Sequence, residues 1–309
     1  MTGAAPPRVV VLLATCNGAR YLDEQLDTIL EQHGVSVRLV VGDDGSTDGT
    51  RDLLHDRALA DPRIELLPDV PPSGSAAANF YRLLRETTVA PGELVALSDQ
   101  DDRWRPGKLA RQVREISHGA AGVSSDVVAF DSDGRRQLIR KSFPQRRFDY
   151  VCESPGPGST FLLTPELVQE CRVALAEPDS VAARVDYHDW LIYGIARAMG
   201  QRWVILDEPT VDYRQHEDNV MGANRGWRSA LDRLARVRSH WHRSQSQLIV
   251  EVALGRAVGA EHDHLSRLHA LLGSRTPRDR WALARWAGEL RRRPRDQRAL
   301  AAMVLSGLW

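Results

Sequence analysis

Three long apolar runs, each closing in polar or acidic residues, constrain this chain more than any other feature. They are "RVVVLLATCNG" (8–18), "VSVRLVVGDDGS" (35–46) and "ELVALSDQDD" (93–102). Near-continuous apolar runs suit strands buried on both faces. Segments of helical period stand between them. "ARYLDEQLDTILEQ" (19–32) has apolar residues at 22, 26, 29 and 30, and "DGTRDLLHDRAL" (48–59) is a second helix that Asp48 or Thr47 can cap. "RIELLPD" reads as a short strand and "SGSAAANFYRLLRET" as a loop entering a helix. Strands alternating with helices predict an α/β fold with a mostly parallel central sheet and flanking helices.

In such a sheet the carboxyl ends of the strands line the ligand crevice. That rule gathers residues 15–18, 43–46 and 98–102 at one edge. Asp43, Asp44, Asp99, Asp101 and Asp102 then stand close together, with Asp186 and Asp189 as a later acidic pair. Crowded carboxylates are costly unless a positive charge joins them, and a hard divalent cation with oxygen ligands suits the place. Lys108, at the start of the next helix, could pair with these acids or approach a phosphate, but a solvated surface lysine is the plainer reading.

Beyond residue 121 the pattern is less regular. "GVSSDVVAFD" and "GSTFLLT" look like strands, and "PELVQECRVAL" like a helix with Pro165 in its first turn. "VDYHDWLIYGIARAMG" looks helical and "RWVILDEPTVDYRQH" strand-like. The glycines of "SPGPGSTFLL" serve a turn or a close approach of backbone to ligand. From about residue 225 the tail is amphipathic and helical.

Four segments in this order carry a resemblance: "VVVLLATCNGARYLDEQLDTILEQ", "VVGDDGSTDGT", "ALSDQDDRWRPGKL" and "DYHDWLIY" with "YRQHEDNVMG". Together they resemble the inverting family 2 glycosyltransferases of the GT-A fold, nearest in form to the rhamnosyltransferase-like branch. The resemblance spans about residues 8–222, so a GT-A catalytic domain is expected over 1–222 and a basic helical region over 223–309. It implies transfer of a sugar, rhamnose favoured, from a dTDP- or UDP-sugar donor to a hydroxyl of a polysaccharide, glycolipid or lipid-linked glycan. Mg2+ or Mn2+ is the implied cofactor.

On the same resemblance Ala14, Thr15 and Cys16 border the nucleobase, although other members often carry an aromatic residue where Cys16 stands. Asp44 accepts a hydrogen bond from a pyrimidine N3–H, and Asp43 supports it or meets the ribose. Asn79 lies toward the donor. Asp99-Gln100-Asp101 matches the Asp-x-Asp motif, with Gln100 on the donor side, Asp101 on the metal, and Asp99 on the ribose or a metal-held water. Asp102 stands behind them. His216 completes the metal or meets the diphosphate, and Arg214 pairs with phosphate. Asp189 matches the catalytic base, although the start of a helix would equally explain an aspartate there. Gly158, Ser159, His188 and Trp190 border the acceptor or sugar pocket. A nucleotidyltransferase lacks support because "ATCNGARYL" carries no glycine- and arginine-rich phosphate loop. A non-catalytic sugar-nucleotide-binding scaffold is the other alternative.

The 309 residues have zero net charge. Yet residues 1–220 carry a balance of −10, and residues 221–309, with 17 arginines and no lysine, one of +10. Arg291, Arg292, Arg293 and Arg295 precede the apolar "ALAAMVLSGLW". This pairing reads as an interfacial helix on anionic lipid with Trp309 at the boundary, or as a basic face packed on the catalytic domain or in a homodimer. No nucleic-acid motif accompanies the arginines. Cys16, Cys152 and Cys171 have no metal or disulfide spacing, and the opening "MTGAAPPR" carries no leader pattern. A cytoplasmic protein, peripheral at most on the inner membrane face, is expected.

Overall fold

The computed structural model describes residues 5–215 and 240–309. Its nine described strands form one sheet in the order β3-β2-β1-β4-β8-β6-β9-β5, with β7 paired to β6. The strands are β1 (Arg8–Thr15), β2 (Ser36–Asp43), β3 (Ile64–Leu66), β4 (Leu94–Asp99), β5 (Arg103–Trp104), β6 (Gly122–Phe130), β7 (Arg136–Ile139), β8 (Leu162–Leu163) and β9 (Trp203–Arg214). The block β3-β2-β1-β4 is parallel throughout. Beyond β4 the sheet is mixed, because β8 runs antiparallel to both β4 and β6 while β6 and β9 are parallel.

The apolar runs are strands for the expected reason. Val10, Leu12 and Ala14 of β1 face one core, and Val9, Val11 and Leu13 face the other. Helices α1 (Ala19–Leu30), α2 (Thr50–Ala60) and α4 (Lys108–Ser117) cover one side. Helices α3 (Ala76–Glu86), α5 (Pro165–Ala174) and α6 (His188–Ala198) cover the other. Each large aliphatic side chain taken fully inside contributes about 1.5–3 kcal/mol.

The tail joins the second core. It comprises α7 (Trp241–Leu254), α8 (Ala260–Gly273), α9 (Pro277–Ala284), α10 (Ala287–Leu290) and α11 (Pro294–Ser306). Ile249, Leu268, Leu290 and Trp309 lie in one cluster with Leu191 and Ile195 of α6. The expected basic membrane face is thereby corrected in part. Arg292 is buried, donating to Glu153 and to the Ser154 carbonyl. Trp309 is 5% exposed and its Nε1 donates to His242 Nδ1. Arg291 reaches His242 Nε2 at 3.1 Å, and only Arg293 and Arg295 of the four project outward. Among the described residues no helix is long and apolar enough to cross a membrane.

Candidate active site

Strand register assembles the acidic edge. Ala14 pairs with Gly42 on one side and with Asp99 on the other, and Thr15 pairs with Asp43. The ends of β2, β1 and β4 therefore finish level, which brings the predicted 15–18, 43–46 and 98–102 segments together.

The "GDDGSTDGT" stretch has two tasks. Its polar side chains satisfy the start of α1 across the gap. Ser46 Oγ accepts from Asn17 N at 2.8 Å, Thr50 Oγ1 from Gly18 N at 2.8 Å, and Asp48 Oδ2 from Ala19 N at 3.2 Å. A helix start leaves such N–H groups without internal partners. Asp48 Oδ1 also accepts from Thr50 N at the start of α2, so one carboxylate serves both helix starts. The N-cap position itself is Gly49, at φ 90°.

Asp43 is spent within the fold. It accepts from the Thr15 and Ser46 hydroxyls, from Ser46 N and from Arg51 Nε. Burial raises its carboxyl, but the hydrogen bonds from Ser46, Arg51 and Thr15 outweigh that and hold it below the usual carboxylate range. Of its two expected roles, the supporting one matches these contacts. Asp44, 7% exposed, takes one backbone N–H on each oxygen, from Ser73 at 2.6 Å and Gly74 at 3.1 Å. Each carboxylate oxygen keeps acceptor capacity for a ligand.

Two expected donor contacts prove to be struts. Asn79 is 2% exposed and donates to the Gly42 carbonyl at 2.7 Å and the Thr15 carbonyl at 3.4 Å, tying β2 to β1. Gln100 forms a paired amide contact with Cys16, accepting from its N–H at 2.7 Å and donating to its carbonyl at 2.9 Å. A Cβ on Gly18 would come within 2.3 Å of Gln100 Oε1, so glycine there makes room for the strut. The Cys16 thiol is pushed up by burial and then by Asp44, Asp43 and Asp48, which leaves it a poor nucleophile.

The Asp-x-Asp loop is held from behind. Burial, then Asp101, then Asp189 push the Asp99 carboxyl up to about 7. Asp102, 1% exposed, is pushed well above the usual range by burial and by Asp101 and Asp99. Its Oδ1 accepts from Arg214 N at 3.1 Å. Arg214 Nε donates to the Asp101 carbonyl at 2.8 Å, its Nη2 pairs with Glu24 at 2.6 Å, and its guanidinium lies over Tyr21 and Phe130. Those contacts correct the phosphate role expected of Arg214; it is the clasp of the acidic loop. Lys108 is corrected too. It is 1% exposed, with Nζ 3.8 Å from the Trp104 ring centroid and donating to Gln112 Oε1 at 3.0 Å.

Asp189 lies in the first turn of α6, whose N-cap is Tyr187, so it is not itself the cap. Its Oδ1 accepts from Trp190 N at 2.7 Å. Burial raises its carboxyl against the pull of Ser154, Trp190 N–H and Lys141. His188 stacks on Phe80 at 3.9 Å, and burial drives its imidazole down to about 3, so it is neutral. A Cβ on Gly158 would lie 2.1 Å from His188 Nε2. His188 and Gly158 therefore pack together under the site, with Ser159 fully buried beside them. Trp190 is 4% exposed and its Nε1 donates to the Tyr150 carbonyl at 2.7 Å; it braces α6. His216 lies outside the described residues.

Sequence reasoning missed Gln25. Its Nε2 donates to Ser98 Oγ at 2.6 Å and to the Asp99 carbonyl at 3.1 Å, fixing the end of β4. The signal was present, since position 25 shares the inward face of α1 with 22, 26 and 29.

Among the described residues no three His, Cys, Asp or Glu side chains form a preformed metal cage. Magnesium-type cations at nucleotide sites need only one or two carboxylates, the rest of the shell coming from phosphate and water. Asp99 and Asp101 fit that arrangement, and the repulsion that raises Asp99 is what a cation would relieve.

A curled mixed sheet with helices on both faces and an acidic edge at its strand ends defines a nucleotide-sugar transferase fold. Residues 10–179 match Glycosyl transferase family 2. The chain belongs to that family and is a glycosyltransferase. It is 35% identical over 235 residues to the dTDP-rhamnosyl transferase RfbG of Shigella flexneri, covering 75% of this chain and 81% of that one. Among solved structures it is similar to S. aureus TarS 1–349 in complex with UDP-GlcNAc (TM-score 0.60, 16% identity, 97% and 90% of the two chains). It is also similar to the mannosyltransferase PcManGT of Pyrobaculum calidifontis in complex with GDP-Man and Mn2+ (TM-score 0.55, 21% identity, 98% and 75%).

Proposed function

We propose that the chain transfers rhamnose or a related sugar from a dTDP- or UDP-linked donor to an acceptor hydroxyl, with inversion. The acceptor class is a polysaccharide, glycolipid or lipid-linked glycan. The carrying observation is the level ends of β1, β2 and β4, which bring Thr15, Asp43 and Asp99 to one edge, with Asp189 of α6 close enough to act on Asp99. The relative RfbG supports dTDP-rhamnose as the first donor to try.

In this reading Ala14, Thr15 and Cys16 border the base and Asp44 accepts its N3–H. Asp43, Asn79 and Gln100 hold those positions. Asp101, with Asp99 beside it, would hold Mg2+ or Mn2+, which supplies charge neutralisation on the departing nucleotide. Asp189 takes the proton from the acceptor hydroxyl as its oxygen attacks the anomeric carbon. Its raised carboxyl makes it a stronger base than a free aspartate. Trp190 and His188 keep Asp189 in place at the start of α6.

A thermal-shift and calorimetric titration with dTDP-rhamnose, UDP-sugars and GDP-sugars, each with and without Mn2+, tests the reading. A Mn2+-dependent response to dTDP- or UDP-sugars is expected. No response to any of them contradicts it.

A further inference from the structure

A cavity of about 310 Å³ opens between the start of α3, the residues leading into α6 and the start of α7. That volume is at the low end for small-molecule sites. Its walls include Ser75, Tyr81, Val185, Asp186, Tyr187 and Trp241. Tyr187 and Trp241 meet edge to face, with centroids 5.5 Å apart and planes at 89°. Trp241 Nε1 donates to Asp186 Oδ2 at 2.5 Å, and Gln245, one turn along α7, accepts from Asp186 N at 2.9 Å. The tail helix thus orients a carboxylate at the mouth of the cavity.

The lining holds one acid and no lysine or arginine, so a diphosphate has no partner there. Aromatic faces beside a carboxylate suit a neutral ring carrying hydroxyls: the apolar C–H face meets the ring, and the carboxylate accepts from hydroxyls. Tyr187 is the N-cap of α6, whose first turn carries Asp189, and Tyr81 in the cavity wall feels the Asp189 carboxylate.

We propose that this cavity is the acceptor subsite and that it takes a saccharide ring against Tyr187 and Trp241, with Asp186 receiving its hydroxyls. The proposal rests on the transferase reading. The basic tail then has a catalytic-domain task, the supply of a specificity wall.

The test uses the full chain with dTDP-rhamnose and Mn2+, following both hydrolysis of the donor by water and transfer to a panel of methyl hexosides. Trp241→Ala should lower kcat/KM for the hexoside about tenfold, the loss expected of one aromatic contact, and leave donor hydrolysis at the wild-type rate. Trp241→Phe, which keeps a ring, should restore most of the transfer and controls for folding. Equal transfer by wild type and Trp241→Ala overturns the subsite. So does a Trp241→Ala loss of hydrolysis parallel to the loss of transfer, since the wall would then serve the donor or the fold. Hydrolysis by wild type without transfer to any hexoside overturns the saccharide class alone, whereas no turnover of any nucleotide sugar overturns the transferase reading beneath it.

Discussion

Each acidic residue of the edge has a distinct environment, and that separates holding from reacting. Asp43 is saturated with donors, Asp44 is held but retains acceptor capacity, and Asp99 is raised by burial and then by Asp101 and Asp189. That raised carboxyl gives a signed prediction. A carboxyl raised in the folded state binds more protons than in the unfolded chain between the ordinary aspartate value and about 7, so its contribution to stability falls as pH rises through that window. Asp99→Asn should therefore raise the metal-free Tm at pH 8 and leave it unchanged near pH 4; thermal melts of both proteins check it. Gly158→Ala places a Cβ against His188 Nε2, so it should cost about 1–3 kcal/mol as an overpacked site and slow transfer. Urea melts and initial rates measure the two effects. The acids were legible as a group because they follow apolar runs. Their division of labour was not, since Thr15 and Ser73 reach them from other segments.

At the scale of elements, helix α6, which carries Asp189, is clamped by the tail. Its Arg197 and the tail's Arg292 both address Asp149, at 3.0 and 3.7 Å, and Tyr193 donates to the same carboxylate at 3.0 Å. Burial raises Asp149, and Arg197 and Arg292 pull it back. Removing Arg292 leaves the buried Asp149 and the half-buried Glu153 underpaired. Arg292→Ala should destabilise by about 3–5 kcal/mol, read by denaturant unfolding. Its conservative partner Arg292→Lys should recover only part of this: the backbone N–H stays on Glu153, but one ammonium lacks the fork that reaches Glu153, the Ser154 carbonyl and Asp149 together. Strands β1, β2 and β4 were readable because both faces are buried. β5, of two residues, was not readable, since pairing with β9 defines it, and of the run read as a strand at 158–164 only Leu162–Leu163 is one. Lys108 and Arg214 were misread for a related cause: a charged residue named in sequence gives no sign of the aromatic ring or carbonyl waiting for it in space.

For the whole molecule, the described tail helices and the sheet domain share one apolar cluster, and the boundary expected at 222/223 lies outside the described residues. A chain ending before Trp241 exposes the faces of α6 that Ile249 and Val250 cover. It should lose cooperative melting and bind hydrophobic dye, as a calorimetric scan with a dye assay would show. The −10 and +10 charge halves meet where Arg292 pairs with Glu153 and Asp149, which accounts for part of the asymmetry without a lipid partner. The central claim is single displacement at the acidic edge with Asp189 as base. Proton NMR of the sugar newly released from dTDP-rhamnose, in wild type and Asp189→Asn, addresses it most directly. The account predicts an anomer opposite to the donor's in wild type, and at least a ~100-fold slower release by a variant that still binds donor. A retained anomer, or undiminished release by Asp189→Asn, would contradict it.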